Sequence, residues 1–189
     1  MNFRFDRFLK PIKSNIKLEI LLMVNEEELK DIGSLNHSFA QARLTTLLSV
    51  DERFITFVEL SLDVSQVDMS QFGLKVKEEI KPDICLYNAD ENSPLPDPMD
   101  DVLRVSQMPA LAIEIISPRQ CIDDILAKFK VYFELGIKSC WLVTPAFEAI
   151  TVYSGFRDFK LFDVRRDKEL NDEVLDIHLQ FDKVFRNKK

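Results

Sequence analysis

The stretch from 110 to 144 constrains the fold of this chain more than any other. It begins with a strand segment at 110–116, whose core reads Leu-Ala-Ile-Glu-Ile-Ile and is almost wholly apolar and rich in β-branched residues. An amphipathic helix follows at 121–135, and a second apolar strand segment occupies 139–144. Strands of this composition are buried on both faces of a sheet, so helices have to cover that sheet.

The segments before this stretch continue the alternation of helices and strands. A helix is predicted at 35–49 and strands at 53–64 and 82–87, which makes the core order helix, strand, strand, strand, helix, strand. A strand at 17–24 and a short polar helix at 25–32 come first. This order predicts an α/β protein with one sheet and helices that cover it.

The chain has no internal repeat and no linker that would separate two compact regions. Its 189 residues, 46% of them hydrophobic, are enough for one medium domain with a buried core. We therefore predict a single domain over 1–189. It would consist of an N-terminal strand and helix extension at 1–34, a core at 35–145 and C-terminal strands at 146–189.

The composition argues against several kinds of binding site. The chain has only 4 glycines and lacks the GxGxxG and GxxxxGK[ST] patterns, so a glycine-rich phosphate loop is not expected. Two histidines and three widely spaced cysteines, without a CxxC or HxxxH pattern, argue against a zinc site and against a disulfide framework. Cys85 and Cys140 lie in apolar strand segments and are expected in the core.

Charge and hydropathy bear on partners and location. The net charge of −7 argues against broad, non-specific binding to nucleic acid, although it leaves room for a local basic groove. The chain has no apolar run of about 18 residues and no N-terminal leader pattern. We therefore expect no contact with a membrane and a cytoplasmic location.

One acidic residue interrupts the most apolar strand. Glu114 stands in the middle of it, and a buried carboxylate is costly unless a cation, a metal or several donors receive it. Asp83 has similar apolar neighbours on the preceding strand. If the two strands pair, the carboxylates converge and repel each other unless a cation lies between them. Mg²⁺, which takes one or two carboxylates and keeps several waters, suits this pair.

Structural roles remain open for all the acids in strands. Asp83, which follows Lys81 and Pro82, could cap a turn or pair with a lysine at the sheet edge, and Glu114 could also be paired for structure alone. Glu59 lies on a strand with other polar residues, so we expect it on the solvated face.

A lysine would complete a site that cleaves phosphodiesters, because an ammonium group orients the attacking water or stabilises the developing charge. The helix at 121–135 offers Lys128 and Lys130, on opposite edges of its apolar stripe. Lys128 shares a column of the helix with Asp124 and Tyr132. Spacing alone does not choose between the two lysines, and a solvated surface position is the ordinary role of a helical lysine.

Four motifs follow one another along the chain: an acid at a strand start, an acid within a strand, a polar helix motif and a strand that ends in proline. Their residues are Pro82-Asp83, Glu114-Ile115-Ile116-Ser117-Pro118, then Asp124, Lys128, Tyr132 and Gly136, and finally Trp141-Leu142-Val143-Thr144-Pro145. Motifs of this kind in this order resemble the Uma family of putative restriction endonucleases, which belongs to the PD-(D/E)xK nuclease superfamily.

The resemblance implies a restriction-endonuclease-like fold, with a mixed central sheet flanked by helices. It implies catalytic roles for Asp83, Glu114 and Lys128, with Asp83 and Glu114 as ligands of Mg²⁺, for which Mn²⁺ can substitute. The implied substrate is DNA. Because restriction-type nucleases commonly use two sites to cut two strands, a homodimer is expected.

The chain departs from the family pattern in two places. The superfamily carries its lysine two residues after the acid, where this chain has Ile116, whereas the Uma pattern uses the following helix and so favours Lys128 over Lys130. The N-terminal third keeps little of the family's opening, and His37 matches a family histidine only loosely. Two functions therefore stand: a Mg²⁺-dependent DNA endonuclease, and a catalytically silent nuclease-fold module for binding or interaction, which the acidic net charge favours.

Overall fold

The computed structural model describes residues 33–75, 78–90 and 92–185. Within these residues the helices are α1 (Leu35–Leu48), α2 (Ile122–Glu134) and the short α3 (Phe181–Val184). The strands are β1 (Phe54–Val58), β2 (Leu62–Asp63), β3 (Glu79–Ile80), β4 (Ile84–Asn88), β5 (Leu111–Ile115), β6 (Ser139–Thr144), β7 (Ala149–Gly155), β8 (Asp158–Asp163), β9 (Glu169–Asp172) and β10 (Ile177–Gln180). The strand at 17–24 and the helix at 25–32 lie outside the described residues.

A six-stranded sheet in the order β1-β4-β5-β6-β7-β8 forms the centre of the fold. Its strands β5 and β6 are parallel, and α2 connects them, as a parallel pair requires. Every other neighbouring pair in this sheet is antiparallel. Two separate ribbons, β2–β3 and β9–β10, flank the sheet. The predicted α/β fold with a mixed central sheet and covering helices is confirmed.

The sheet is buried on both faces because helices cover each of them. Ile113 and Ile115 of β5 join the core cluster that includes residues of α1 and α3, whereas Ala112 packs in the cluster of α2. Since side chains alternate along a strand, Glu114 lies on the α2 face with Ala112. Ile84 of β4 belongs to the same core cluster as Ile113 and Ile115 and therefore lies on the α1 face.

The predicted strand at 53–64 is wrong in its second half. The chain leaves the central sheet after Val58, because Glu59 has a left-handed backbone with φ of 51°, which turns the chain away. Leu62 and Asp63 pair instead with β3 in their own ribbon. The other core elements agree with their predicted positions to within two residues. Cys85 and Cys140 are buried, as expected.

A buried aspartate fastens the β9–β10 ribbon to the central sheet. Asp172 Oδ2 accepts hydrogen bonds from Ser139 Oγ at 2.6 Å and from Trp141 Nε1 at 2.7 Å, both on β6. Its other oxygen accepts from the backbone N–H groups of Val174 and Leu175. Asp172 is fully buried, so these donors replace the water that the carboxylate has lost.

We predict that Asp172→Ala destabilises the protein by about 3 kcal/mol, because it leaves the Ser139 and Trp141 donors buried and unpaired. Asp172→Asn should also destabilise the protein, because the NH₂ of the asparagine amide would face N–H and O–H groups that themselves donate. Glu173→Ala, which removes an exposed carboxylate one residue away, should change the free energy of unfolding by less than about 0.5 kcal/mol. Urea denaturation measures all three. Equal stability of Asp172→Ala and Glu173→Ala would contradict the anchoring role.

The described part of the chain includes no helix with the length and apolar character needed to cross a membrane.

Candidate active site

The two acids predicted from the sequence face each other across neighbouring strands. The antiparallel register of β4 and β5 places Ile84 opposite Ile113. Continuing this register by one residue places Asp83, just before β4, opposite Glu114. Together with Lys128 they line a cleft of about 680 Å³. The structure therefore brings all three predicted site residues to one place.

Glu114 is held by two side chains of α2. Its carboxylate is buried, with 1% of the residue exposed. Lys128 Nζ donates to Oε2 at 2.8 Å, and Tyr132 Oη donates to Oε1 at 2.5 Å. Burial raises the pKa of Glu114 and outweighs the lowering by Lys128, while the charge of Asp83 raises the pKa further. Burial and the charge of Glu114 also raise the pKa of Tyr132, which keeps its hydroxyl protonated as a donor.

Asp83 is held by the backbone of β5 and by a side chain of α1. Its Oδ2 accepts from the backbone N–H of Ile115 at 2.6 Å, so the carboxylate bonds the end of β5 directly. Its Oδ1 lies 3.3 Å from Nε2 of His37 on α1. The hydrogen bond to Asp83 raises the pKa of His37 above its usual value of 6.5, against the opposing effect of burial.

Helix α1 contributes a second polar side chain to the cleft. Gln41, one turn after His37, donates from Nε2 to the carbonyl oxygen of Asp83 at 3.1 Å and approaches Glu59 Oε1 at 3.4 Å. Glu59 is exposed, as expected for a solvated residue, yet it lines the same cleft. The i, i+4 spacing of His37 and Gln41 is a signal in the sequence for a polar helix face here.

The structure distinguishes between the two candidate lysines, which helical spacing alone could not do. Lys128 forms the ion pair with Glu114 inside the cleft, with 26% of its side chain exposed. Lys130 points elsewhere, and its Nζ lies 4.9 Å from the ring centroid of Phe156. This contact is a cation–π interaction on the surface, so Lys130 has no part in the cleft.

The donor set of the cleft fits a hard divalent cation. Asp83 and Glu114 supply carboxylate oxygens. Each carboxylate has two polar partners among the described residues and can accept further bonds. Among the described residues, no group of three or more His, Cys, Asp or Glu side chains is arranged to hold a metal. Mg²⁺ needs only one or two carboxylates and completes its shell with water, so two are sufficient for it and too few for a structural zinc.

The His37–Asp83 contact predicts a pH dependence of the metal-free protein. Because the pKa of His37 is higher in the folded state than the unfolded value of 6.5, its contribution to stability is complete below pH 6.5 and is lost as the pH rises through the folded pKa. The difference in free energy of unfolding between wild type and His37→Gln should therefore shrink as the pH rises from below 6.5 through the higher pKa of the folded state.

The partner variant serves as the control for that measurement. In an Asp83→Asn background the pKa of His37 loses the largest cause of its rise, while burial still lowers it, so the effect of His37→Gln should no longer decrease as the pH rises. Thermal denaturation in buffer that contains a chelator gives these values. A difference between wild type and His37→Gln that is constant with pH would contradict the prediction.

Comparison with known proteins agrees with this fold and these motifs. A family model described as a putative restriction endonuclease, Uma2, matches residues 24–167. A crystal structure of a putative nuclease of the DUF820 group from Anabaena variabilis ATCC 29413 is similar, with a TM-score of 0.60 and 18% sequence identity over 82% of this chain and 83% of that chain. No curated protein matches the sequence. The resemblance noted from the motifs is confirmed, and the chain belongs to the Uma2 family of putative restriction endonucleases.

Proposed function

We propose that this protein is a Mg²⁺-dependent endonuclease that hydrolyses phosphodiester bonds of DNA. The observation that carries the proposal is the meeting of Asp83, Glu114 and Lys128 in one cleft, from two adjacent strands and the helix that follows them. Family membership and the nuclease-like fold support an endonuclease. Our proposal adds the metal, the substrate and the roles of the three residues to what the family and the fold support.

Each of the three residues has a separate task in this proposal. Asp83 and Glu114 hold the divalent ion, which when bound supplies an activated water and neutralises charge on the phosphate. Lys128 reaches the cleft on the exposed side of Glu114, where its ammonium group orients the attacking water and donates to a phosphate oxygen as negative charge develops. The bonds from Ile115 and His37 fix the direction of the Asp83 carboxylate.

Three further points belong to the proposal. Cutting both strands of a duplex requires two sites, which a homodimer with closed two-fold symmetry would supply. The protein would meet its DNA in the cytoplasm, which is the location expected from the sequence. Mn²⁺ would replace Mg²⁺, because both are bound by carboxylate and water oxygens.

A plasmid-nicking assay tests the proposed reaction. Wild type should convert supercoiled plasmid to nicked or linear forms with Mg²⁺ or Mn²⁺ and should lose this activity in excess chelator. Asp83→Asn should be inactive with either ion, because it removes one of the two ligand charges. Plasmid cleavage by Asp83→Asn at the rate of wild type would contradict the proposal.

A catalytically silent binding module is the second candidate, and one observation favours it. Lys128 and Tyr132 already satisfy both oxygens of Glu114 without a metal, as a purely structural ion pair would. For such a module, DNA should bind with the same affinity whether Mn²⁺ or chelator is present, and no condition should give cleavage. For the endonuclease, cleavage should depend on the ion.

A further inference from the structure

We infer that Tyr132 is a positioning residue of the candidate site, whose buried hydroxyl holds Oε1 of Glu114 and leaves Oε2 as the oxygen directed to the cleft. The inference rests on the proposed function, because Glu114 matters here as a ligand of the divalent ion. It gives a role to a fourth residue, beside the three to which the resemblance gave roles. It also states through which oxygen Glu114 would bind the ion.

The two oxygens of Glu114 have different surroundings. Lys128 and Tyr132 lie four residues apart on α2, so both point to the same side of the helix. Tyr132 is fully buried, whereas 26% of the Lys128 side chain is exposed. The oxygen that accepts from Tyr132 therefore faces the core, and the oxygen that accepts from Lys128 faces the cleft.

Packing holds the Tyr132 hydroxyl in place. The residue belongs to the core cluster of α2, and its ring lies 6.2 Å from the ring of Phe129. If the Glu114 carboxylate rotated away, a buried hydroxyl and a buried carboxylate oxygen would both lose their hydrogen-bond partner, which is unfavourable for each group. The Tyr132 hydroxyl therefore restrains Glu114 to one orientation.

This restraint has a chemical consequence for the bound ion. A divalent ion that used both oxygens of Glu114 would compete with Tyr132 for Oε1. An ion that bound Oε2 alone would leave the hydrogen bond from Tyr132 to Oε1 intact. Such an ion would either share Oε2 with Lys128 or displace Lys128 from it. We therefore expect coordination through one oxygen of Glu114, with Tyr132 acting on the ion only through Glu114.

Mn²⁺ titration of a matched pair of tyrosine variants tests the inference. Tyr132→Phe removes the hydroxyl and keeps the ring. Tyr87→Phe is the control, because its hydroxyl also makes a hydrogen bond inside the same cluster, at 2.8 Å to the carbonyl oxygen of Gln107, away from the cleft. Isothermal titration should show Mn²⁺ binding about 10-fold to 100-fold weaker in Tyr132→Phe and unchanged in Tyr87→Phe.

A double variant separates positioning from a general effect on the fold. In a Glu114→Gln background, Tyr132→Phe should change the residual Mn²⁺ affinity by less than about twofold, because the residue through which it acts is gone. Circular dichroism establishes that each variant is folded. A merely structural role would lower the melting temperature of Tyr132→Phe and leave the Mn²⁺ affinity of the folded protein unchanged.

The possible results bear differently on the two proposals. Equal Mn²⁺ affinity in wild type and folded Tyr132→Phe would overturn the positioning role and leave the proposed function standing. A Tyr132→Phe protein that does not fold would also overturn it, since the hydroxyl would then be needed for the fold itself. If wild type binds no Mn²⁺, the proposed function fails and the positioning role fails with it.

Discussion

Glu114→Gln is expected to abolish DNA cleavage and to weaken Mn²⁺ binding while the protein stays folded. The substitution keeps the shape of the side chain and removes the charge that would bind the ion, so we expect cleavage to fall by more than about 100-fold. Burial raises the pKa of Glu114, so the charged form is costly in the metal-free protein. Loss of that charge therefore offsets part of the loss of the ion pair with Lys128. Because the glutamine NH₂ would face a donor, either Lys128 Nζ or Tyr132 Oη, the variant should be less stable than wild type but still folded.

Glu79→Gln is the matched control for this variant. Glu79 lines the same cleft but is exposed and lies on β3, so its substitution removes the same charge from the same region. Mn²⁺ affinity and cleavage should remain within about twofold of wild type, as expected for an exposed charge in water. If wild type and Glu114→Gln bind Mn²⁺ equally, Glu114 is a structural residue and the metal assignment is wrong.

Lys128→Met should abolish cleavage while Mn²⁺ still binds. Methionine keeps the apolar stem and removes the ammonium group that we assign to the water and the phosphate. The loss of one such group costs about 10² to 10³ in rate. The variant also leaves Glu114 buried without its cationic partner, so the metal-free protein should be less stable than wild type. Added Mn²⁺ should then raise the melting temperature of Lys128→Met more than that of wild type.

Lys130→Met controls for loss of positive charge on the same helix. Lys130 contacts the ring of Phe156 outside the cleft, so its substitution should leave cleavage within about twofold of wild type. Initial rates of plasmid nicking at saturating Mg²⁺ compare the two variants. Normal cleavage by Lys128→Met together with loss in Lys130→Met would reverse the assignment and contradict the role given to the ion pair.

The central elements of the fold were predictable because their patterns are local. The apolar strands at β5 and β6 and the amphipathic α2 each carry a periodic signal over their own residues, and the structure contains all three close to their predicted positions. The prediction that Asp83 and Glu114 lie close to each other needed one further assumption, that consecutive strands pair. The pairing of β4 with β5 meets that assumption.

The parts that were missed depend on non-local contacts. Nothing in the sequence around Glu59 indicates a left-handed backbone, since glycine is the usual residue there, so the strand was predicted to run on to residue 64. Gln41 contacts Asp83 across 42 positions of sequence, and only the packing of α1 on the sheet brings them together. The direction of Tyr132 towards Glu114 likewise depends on how α2 is rotated against β5.

The division of the chain into a single domain with an extension at 1–34, a core at 35–145 and C-terminal strands at 146–189 stays a prediction. The described residues begin at Gly33, so the extension lies almost wholly outside them. Limited proteolysis followed by mass spectrometry would test it. A single domain predicts that the core and the C-terminal strands stay together in one resistant fragment, and two separately stable fragments divided near residue 145 would contradict it.

Anomalous diffraction from crystals soaked in Mn²⁺ tests the central claim most directly. We expect one strong peak in the cleft, within about 2.0–2.3 Å of a carboxylate oxygen from each of Asp83 and Glu114, with the remaining positions filled by water. The Tyr132 hydroxyl should still donate to the other oxygen of Glu114. A peak that lies elsewhere, or a cleft with no peak and an unchanged ion pair between Lys128 and Glu114, would contradict the account.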